Sequence, residues 1–121
     1  MNQVKIKVSS KFLPERSNPL KSKFFFSYAV NIHNTANMTV QLLSRYWRIT
    51  DGNGNSEEIY GPGVVGQTPV LKPMESFKYS SFCSIVTPVG FMEGRYRMND
   101  GRKEVDVLID AFQLTANEYL N

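Results

Sequence analysis

The sequence of 121 residues holds one cysteine, Cys83, one histidine, His33, and one tryptophan, Trp47. A single cysteine excludes an internal disulfide. One cysteine with one histidine also excludes a Cys/His zinc cage and any catalytic design built on two histidines. Long apolar stretches are missing too: Phe24-Phe25-Phe26 is broken by Ser27, far short of the roughly 20 residues a membrane-spanning helix needs. The opening Met1-Asn2-Gln3-Val4-Lys5 has no apolar signal core, so the chain is expected to be cytoplasmic and without membrane insertion. No segment carries a sustained helical stripe with caps, and there are no repeats or low-complexity tracts.

What is present is enough apolar material for one core. Apolar residues make up 41% of the chain and charged residues 21%, with eight Phe and six Tyr, so burial can offset the entropy of ordering. Residues 1–121 read as one domain, with a core over 4–114 and a frayed tail over 115–121. The net charge of +3 is unevenly spread. The first 23 residues hold six Lys or Arg against one Glu, a net of +5, and the remainder carries −2 from eight basic and ten acidic residues. Lys5 and Lys7 alternate with Val4, Ile6 and Val8 and read as the wet face of a strand. Nucleic-acid binding is not expected from so sparse a basic stripe.

Period two runs through the chain. Phe24, Phe26, Tyr28, Val30 and Ile32 form one row over residues 23–34, opposite Phe25, Ser27, Ala29 and Asn31. Residues 40–50 carry apolar side chains on both parities, Leu43, Trp47 and Ile49 against Leu42 and Tyr46. The Trp47 side is taken as the core face, which puts Arg45 in the apolar row and in need of a carboxylate or carbonyl partner. Asp51-Gly52-Asn53-Gly54 supplies hairpin chemistry before Glu57-Glu58-Ile59-Tyr60. Residues 75–82, 90–98 and 105–109 alternate again. Some seven strands with frequent turns predict an all-β, two-sheet antiparallel sandwich.

Candidate chemistry is thin. Gly61, Gly63 and Gly66 spell G-x-G-x-x-G, but Pro62, Pro69 and Pro73 leave no room for the helix whose N-terminal amides hold a pyrophosphate. Gly61, Gly63 and Gly66 read as an ordered loop. Its inward amides could form an anion nest with help from Lys72, Arg45 or Arg48. Asp51, Asn53 and Asn55 open like a calcium loop, but Ser56 and Pro62 stand where glycine and a bidentate Glu are required, so no metal site is expected. His33 reads as a surface residue beside a polar turn, and Cys83 as a small buried hydrophobe rather than a nucleophile. The aromatics are too many for one thin core. Phe25 and one of Tyr46 or Trp47, with Arg45, are the candidates for an exposed partner or dimer surface.

Three segments resemble the ApaG domain: Gln41-Leu42-Leu43-Ser44-Arg45-Tyr46-Trp47-Arg48-Ile49-Thr50-Asp51, the stretch from Glu57 through Gly61-Pro62-Gly63-Val64-Val65-Gly66 to Leu71, and Thr87-Pro88-Val89-Gly90-Phe91-Met92-Glu93-Gly94-Arg95-Tyr96. The resemblance runs in order from Val4 to Leu114, as in the free-standing bacterial form of the domain. It implies a fibronectin type III-like, immunoglobulin-like β-sandwich and an association with cobalt resistance and magnesium efflux. It also implies the partner-recruiting role of the copies found in eukaryotic F-box and DNA-polymerase-interacting proteins. No catalytic residues belong to the family pattern, so a non-enzymatic interaction module without cofactor is expected, docking a protein partner or a second copy of itself. The alternative is a phosphate, pyrophosphate or nucleotide module at Gly61–Gly66.

Overall fold

A computed structural model describes residues 3–116. Within them the chain forms β1 (Val4–Phe12), two single 3-10 turns (Pro14–Arg16 and Pro19–Lys21), β2 (Phe24–Asn34), β3 (Val40–Asp51), β4 (Ser56–Pro62), β5 (Val70–Leu71), β6 (Ser76–Ile85), β7 (Val89–Asn99) and β8 (Glu104–Thr115). All pairings are antiparallel. One sheet has the order β1-β2-β6, and the other β4-β3-β7-β8, with β5 on the β4 side of β3. This is the expected fibronectin type III-like sandwich, with the two-residue β5 added to the seven strands legible as alternation.

The two inner faces meet over Phe26, Val30 and Ile32 from β2 and Leu42, Trp47, Ile49, Met92, Tyr96, Met98, Val107 and Leu114 from the facing sheet. Trp47 lies at the centre, with the rings of Tyr28 and Phe112 edge-on at 5.5 and 5.8 Å and Tyr96 at 6.2 Å. Offset and edge-on aromatic packing of this kind adds to the burial term itself. Arg45 also lies on the core side of β3, as its parity predicts, and finds carbonyl partners at Pro62 and Gly63.

Asn34, fully buried, fixes the β2–β3 connection. Its Nδ2 donates to the Met38 and Leu71 carbonyls and its Oδ1 accepts from the Ala36 amide, so no polar end of the side chain is orphaned. The Asp51–Asn55 turn forms as expected: Asp51 Oδ1 accepts from the Asn53 and Asn55 amides, and Gly54 takes φ 86°. The ordered fold runs past the expected core boundary at residue 114. Thr115 belongs to β8, and the buried Ala116 donates its amide to Pro88. Residues 117–121 of the expected tail lie outside the described residues.

Candidate functional site

The outer face of the β4-β3-β7-β8 sheet carries a cross-strand row of aromatic, arginine and leucine side chains. Tyr60, Tyr46, Arg95 and Leu108 lie opposite one another in register on β4, β3, β7 and β8. The Tyr46 and Tyr60 rings sit 4.8 Å apart between centroids, and the Arg95 guanidinium stands 4.2 Å over the Tyr46 ring. Both phenol hydroxyls donate to the Glu58 carboxylate, at 3.2 and 3.3 Å. Partial burial, with the nearby Glu58 charge, pushes the Tyr46 phenol above its ordinary pKa, so it remains a donor at any physiological pH. The ends of the row are open: Tyr60 is 66% exposed and Leu108 72%. Shallow depressions flank the Tyr46–Arg95 ridge, one of 450 Å³ toward Arg97 and Asp106 and one of 330 Å³ toward Arg48 and Glu93.

The structure separates the residues expected to form a partner surface. Tyr46 faces outward on this sheet. Phe25 faces outward on the β1-β2-β6 sheet, half-buried, on the opposite side of the molecule. The two therefore do not share a patch. Trp47 has to be removed from that surface altogether, since it is 1% exposed at the centre of the core. Arg45 is half-buried and bound to two carbonyls. Alternation points out Tyr46 but not Tyr60, Arg95 and Leu108 as its neighbours, because register between distant strands is not written in any one segment.

Gly61, Gly63 and Gly66 belong to an excursion that leaves β3 at the end of β4 and rejoins it as β5. No helix follows Gly66; the chain passes through Thr68-Pro69 into Val70–Leu71. The excursion is tied to β3 at several points. The Gly63 amide donates to the Leu43 carbonyl, Arg45 Nη1 to the Pro62 and Gly63 carbonyls at 3.0 Å each, the Leu42 amide to Pro69, and Gln41 Nε2 to Thr68. Gly61 faces Arg45 in register, and a Cβ there would lie 2.8 Å from Arg45 Nη2. Gly61 is small so that the guanidinium can lie over it. Beyond it, the Val64 and Gln67 amides donate to each other's carbonyls around a tight turn, with Val65 at φ 43° and Gly66 at φ 79°. Both central residues being left-handed is the geometry of a type I′ hairpin turn, and Val65 is a rare β-branched occupant of it. Three amides of the expected anion nest thus already have protein acceptors, and its nearest cation is bound to carbonyls.

Cys83 and His33 do not form a nucleophile–base pair. Cys83 points into the sandwich, where its thiol contacts the Met92 sulfur at 3.7 Å and burial pushes its pKa up to about 12. His33 faces outward from β2, and its Nδ1 is 2.6 Å from Ser76 Oγ. Burial pushes Tyr79 up to about 12 and Tyr96 higher still, and their hydroxyls bond each other in the core. Among the described residues no three His, Cys, Asp or Glu side chains come together as a metal site, and no helix is long and apolar enough to cross a membrane.

Fold and surface together define an antiparallel β-sandwich domain of the fibronectin type III kind, with a braced glycine excursion on one edge. The ApaG domain model matches residues 14–100. The chain is 50% identical to the ApaG protein of Methylocella silvestris over 112 residues, 92% of this chain and 86% of that one. It is 45% identical to the ApaG protein of Shewanella denitrificans over 115 residues, 94% and 91% of the two chains. The crystal structure of the ApaA protein from Bordetella pertussis superposes with a TM-score of 0.90 at 39% identity, covering 93% of this chain and 92% of that one. The chain belongs to the ApaG domain family.

Proposed function

We propose that the protein is a non-enzymatic interaction module of the cytoplasm that docks a protein partner through the outer face of the β4-β3-β7-β8 sheet. The observation that carries this is the Tyr60-Tyr46-Arg95-Leu108 row. Tyr and Arg are the side chains most enriched where binding energy concentrates in interfaces. Here they are already held: Arg95 by the Tyr46 ring, and both phenols by Glu58. Side chains fixed before docking lose little entropy on docking. Around the ridge, Arg48, Glu58, Glu93, Arg97 and Asp106 supply the mixed polar rim such a surface needs. The association with cobalt and magnesium that the family resemblance implies is, in this proposal, exercised by the docked partner.

A photo-crosslinking residue placed at Tyr60 in living cells tests the proposal. We expect a discrete crosslinked species that disappears when Tyr46→Ala and Arg95→Ala are added, with the melting temperature little changed. Crosslinking that is the same from Tyr60 and from the exposed, off-face Leu20, or indifferent to the two substitutions, would refute it. A species of twice the chain mass identifies the partner as a second copy.

A further inference from the structure

We propose that the opposite face of the molecule, the outer face of the β1-β2-β6 sheet, binds single-stranded nucleic acid. In the sequence Lys5, Lys7 and Lys11 form a sparse basic run. The fold adds Lys78 from β6, which lies across Asn31 from Lys7 in register, and Arg16, whose guanidinium stands 5.2 Å from the centroid of the Phe82 ring. Of the outward positions on these three strands four are lysines, all exposed, and none is Asp or Glu. Among the described residues the ion pairs are those of Arg97 with Glu104 and Asp106, on the other sheet. The outward positions of these three strands therefore carry a net positive charge, with Asp110 of β8 the carboxylate that shares a depression with Lys5 and Lys7 at the β1 edge, whereas the other sheet interleaves both signs.

Two further features favour a nucleic acid over an acidic polypeptide. Phe82 projects from the face 56% exposed, in the cross-strand row of Lys11, and Arg16 stands over it. An exposed ring with a guanidinium beside it is a platform for a nucleobase, and an acidic side chain has no use for it. Between Lys7 and Lys78 lies a shallow depression of 570 Å³, with Ala29 in its floor and Ser9 and Ser80 on either side of it. The lysines are placed to follow phosphates, the serines to hydrogen-bond, and Phe82 to stack. The surface is a sheet face with no helix or ribbon projecting to enter a duplex groove, so an unpaired strand is the form it fits.

Fluorescence anisotropy with labelled random 12-nucleotide DNA and RNA, from about 20 to about 200 mM salt, tests this. Three to five phosphate contacts predict a slope of log affinity on log salt of about −2 to −3.5. Lys7→Gln with Lys78→Gln should make that slope shallower by about 1.4, at roughly 0.7 per lost contact. Phe82→Ala should weaken binding about tenfold while leaving the slope unchanged, because stacking releases no counterions. Arg102→Gln, on the β7–β8 turn, should change neither. All the substituted positions are exposed, and a melting curve for each variant checks the fold. Absence of binding at the lowest salt overturns the proposal. So does equal affinity for heparin or polyglutamate with Phe82→Ala silent, which would mark an unspecific anionic-polymer surface.

Discussion

At the scale of single residues, the three glycines of the G-x-G-x-x-G pattern separate into different physical roles. Gly61 leaves room for a side chain, Gly63 for a backbone, and Gly66 supplies a dihedral angle. A Cβ on Gly63 would lie 2.2 Å from the Gln67 carbonyl oxygen at φ 58°, whereas one on Gly66 meets nothing within 4 Å. Urea denaturation should therefore rank the alanine variants. Gly66→Ala should cost about 1 kcal/mol, the price of a left-handed alanine. Gly61→Ala should cost about 2 kcal/mol through displaced Arg45 hydrogen bonds, and Gly63→Ala the most. An equal cost at all three would contradict this division. Gly66→Ala is consequently the variant with which to probe the loop for ligands, since it leaves the anchors to β3 in place. The buried Tyr79 and Cys83 give a second residue-scale prediction. Their acidic forms are favoured by folding, with ordinary values of 10.0 and 9.0 raised to about 12. The stability they hold is complete below pH 9 and is lost as pH rises through 9 to 12, because the unfolded chain ionises first. Phenolate absorbance should lag behind that of free tyrosine and then rise together with unfolding.

At the scale of elements, the strands were legible because alternation survives wherever one face is buried. It failed where a bulge intervenes. The apolar residues on both parities of 40–50 have a simple cause: Leu43 is an extra residue in β3 opposite β7, so Val40 and Leu42 point inward before it, and Trp47 and Ile49 after it. The same switch occurs in β8 opposite Met92 and Gly94, moving the inward set from Val107 and Ile109 to Phe112 and Leu114. It hides the last third of that strand from a period-two search. β5 is too short to show any period. The candidate surface was only half legible, since Tyr46 stands out as an aromatic on a polar parity but its three row partners depend on register. One turn makes a pH prediction. Asp100 Oδ1 accepts from the Arg102 and Lys103 amides at 2.9 and 3.0 Å, and these bonds hold its carboxyl below the usual value of 3.8. The stabilisation is present above pH 3.8 and disappears as pH falls through the lowered value. Asp100→Ala should therefore be less stable than the parent at pH 7 in denaturant titrations, with the gap closing in strong acid.

At the scale of the whole molecule, the sandwich presents two unlike faces held apart by one core. One face sets an aromatic and arginine ridge within mixed charges, and the other gathers lysines on strands whose outward positions hold no carboxylate. The core that separates them should tolerate changes on either face but not changes at its centre. Trp47→Ala should cost about 3 to 5 kcal/mol by opening a cavity among Tyr28, Tyr96 and Phe112. Tyr60→Ala, at an exposed position, should cost well under 1.5 kcal/mol. Thermal melts of the two variants check that contrast. The measurement that bears most directly on the docking face is titration calorimetry with the purified protein that crosslinks to position 60. Affinity for the parent chain should fall at least about 100-fold in the Tyr46→Ala, Arg95→Ala variant, in line with the loss of two central anchors. It should be unchanged in Gly66→Ala. An affinity that ignores the two anchors and responds to the glycine turn would contradict the account.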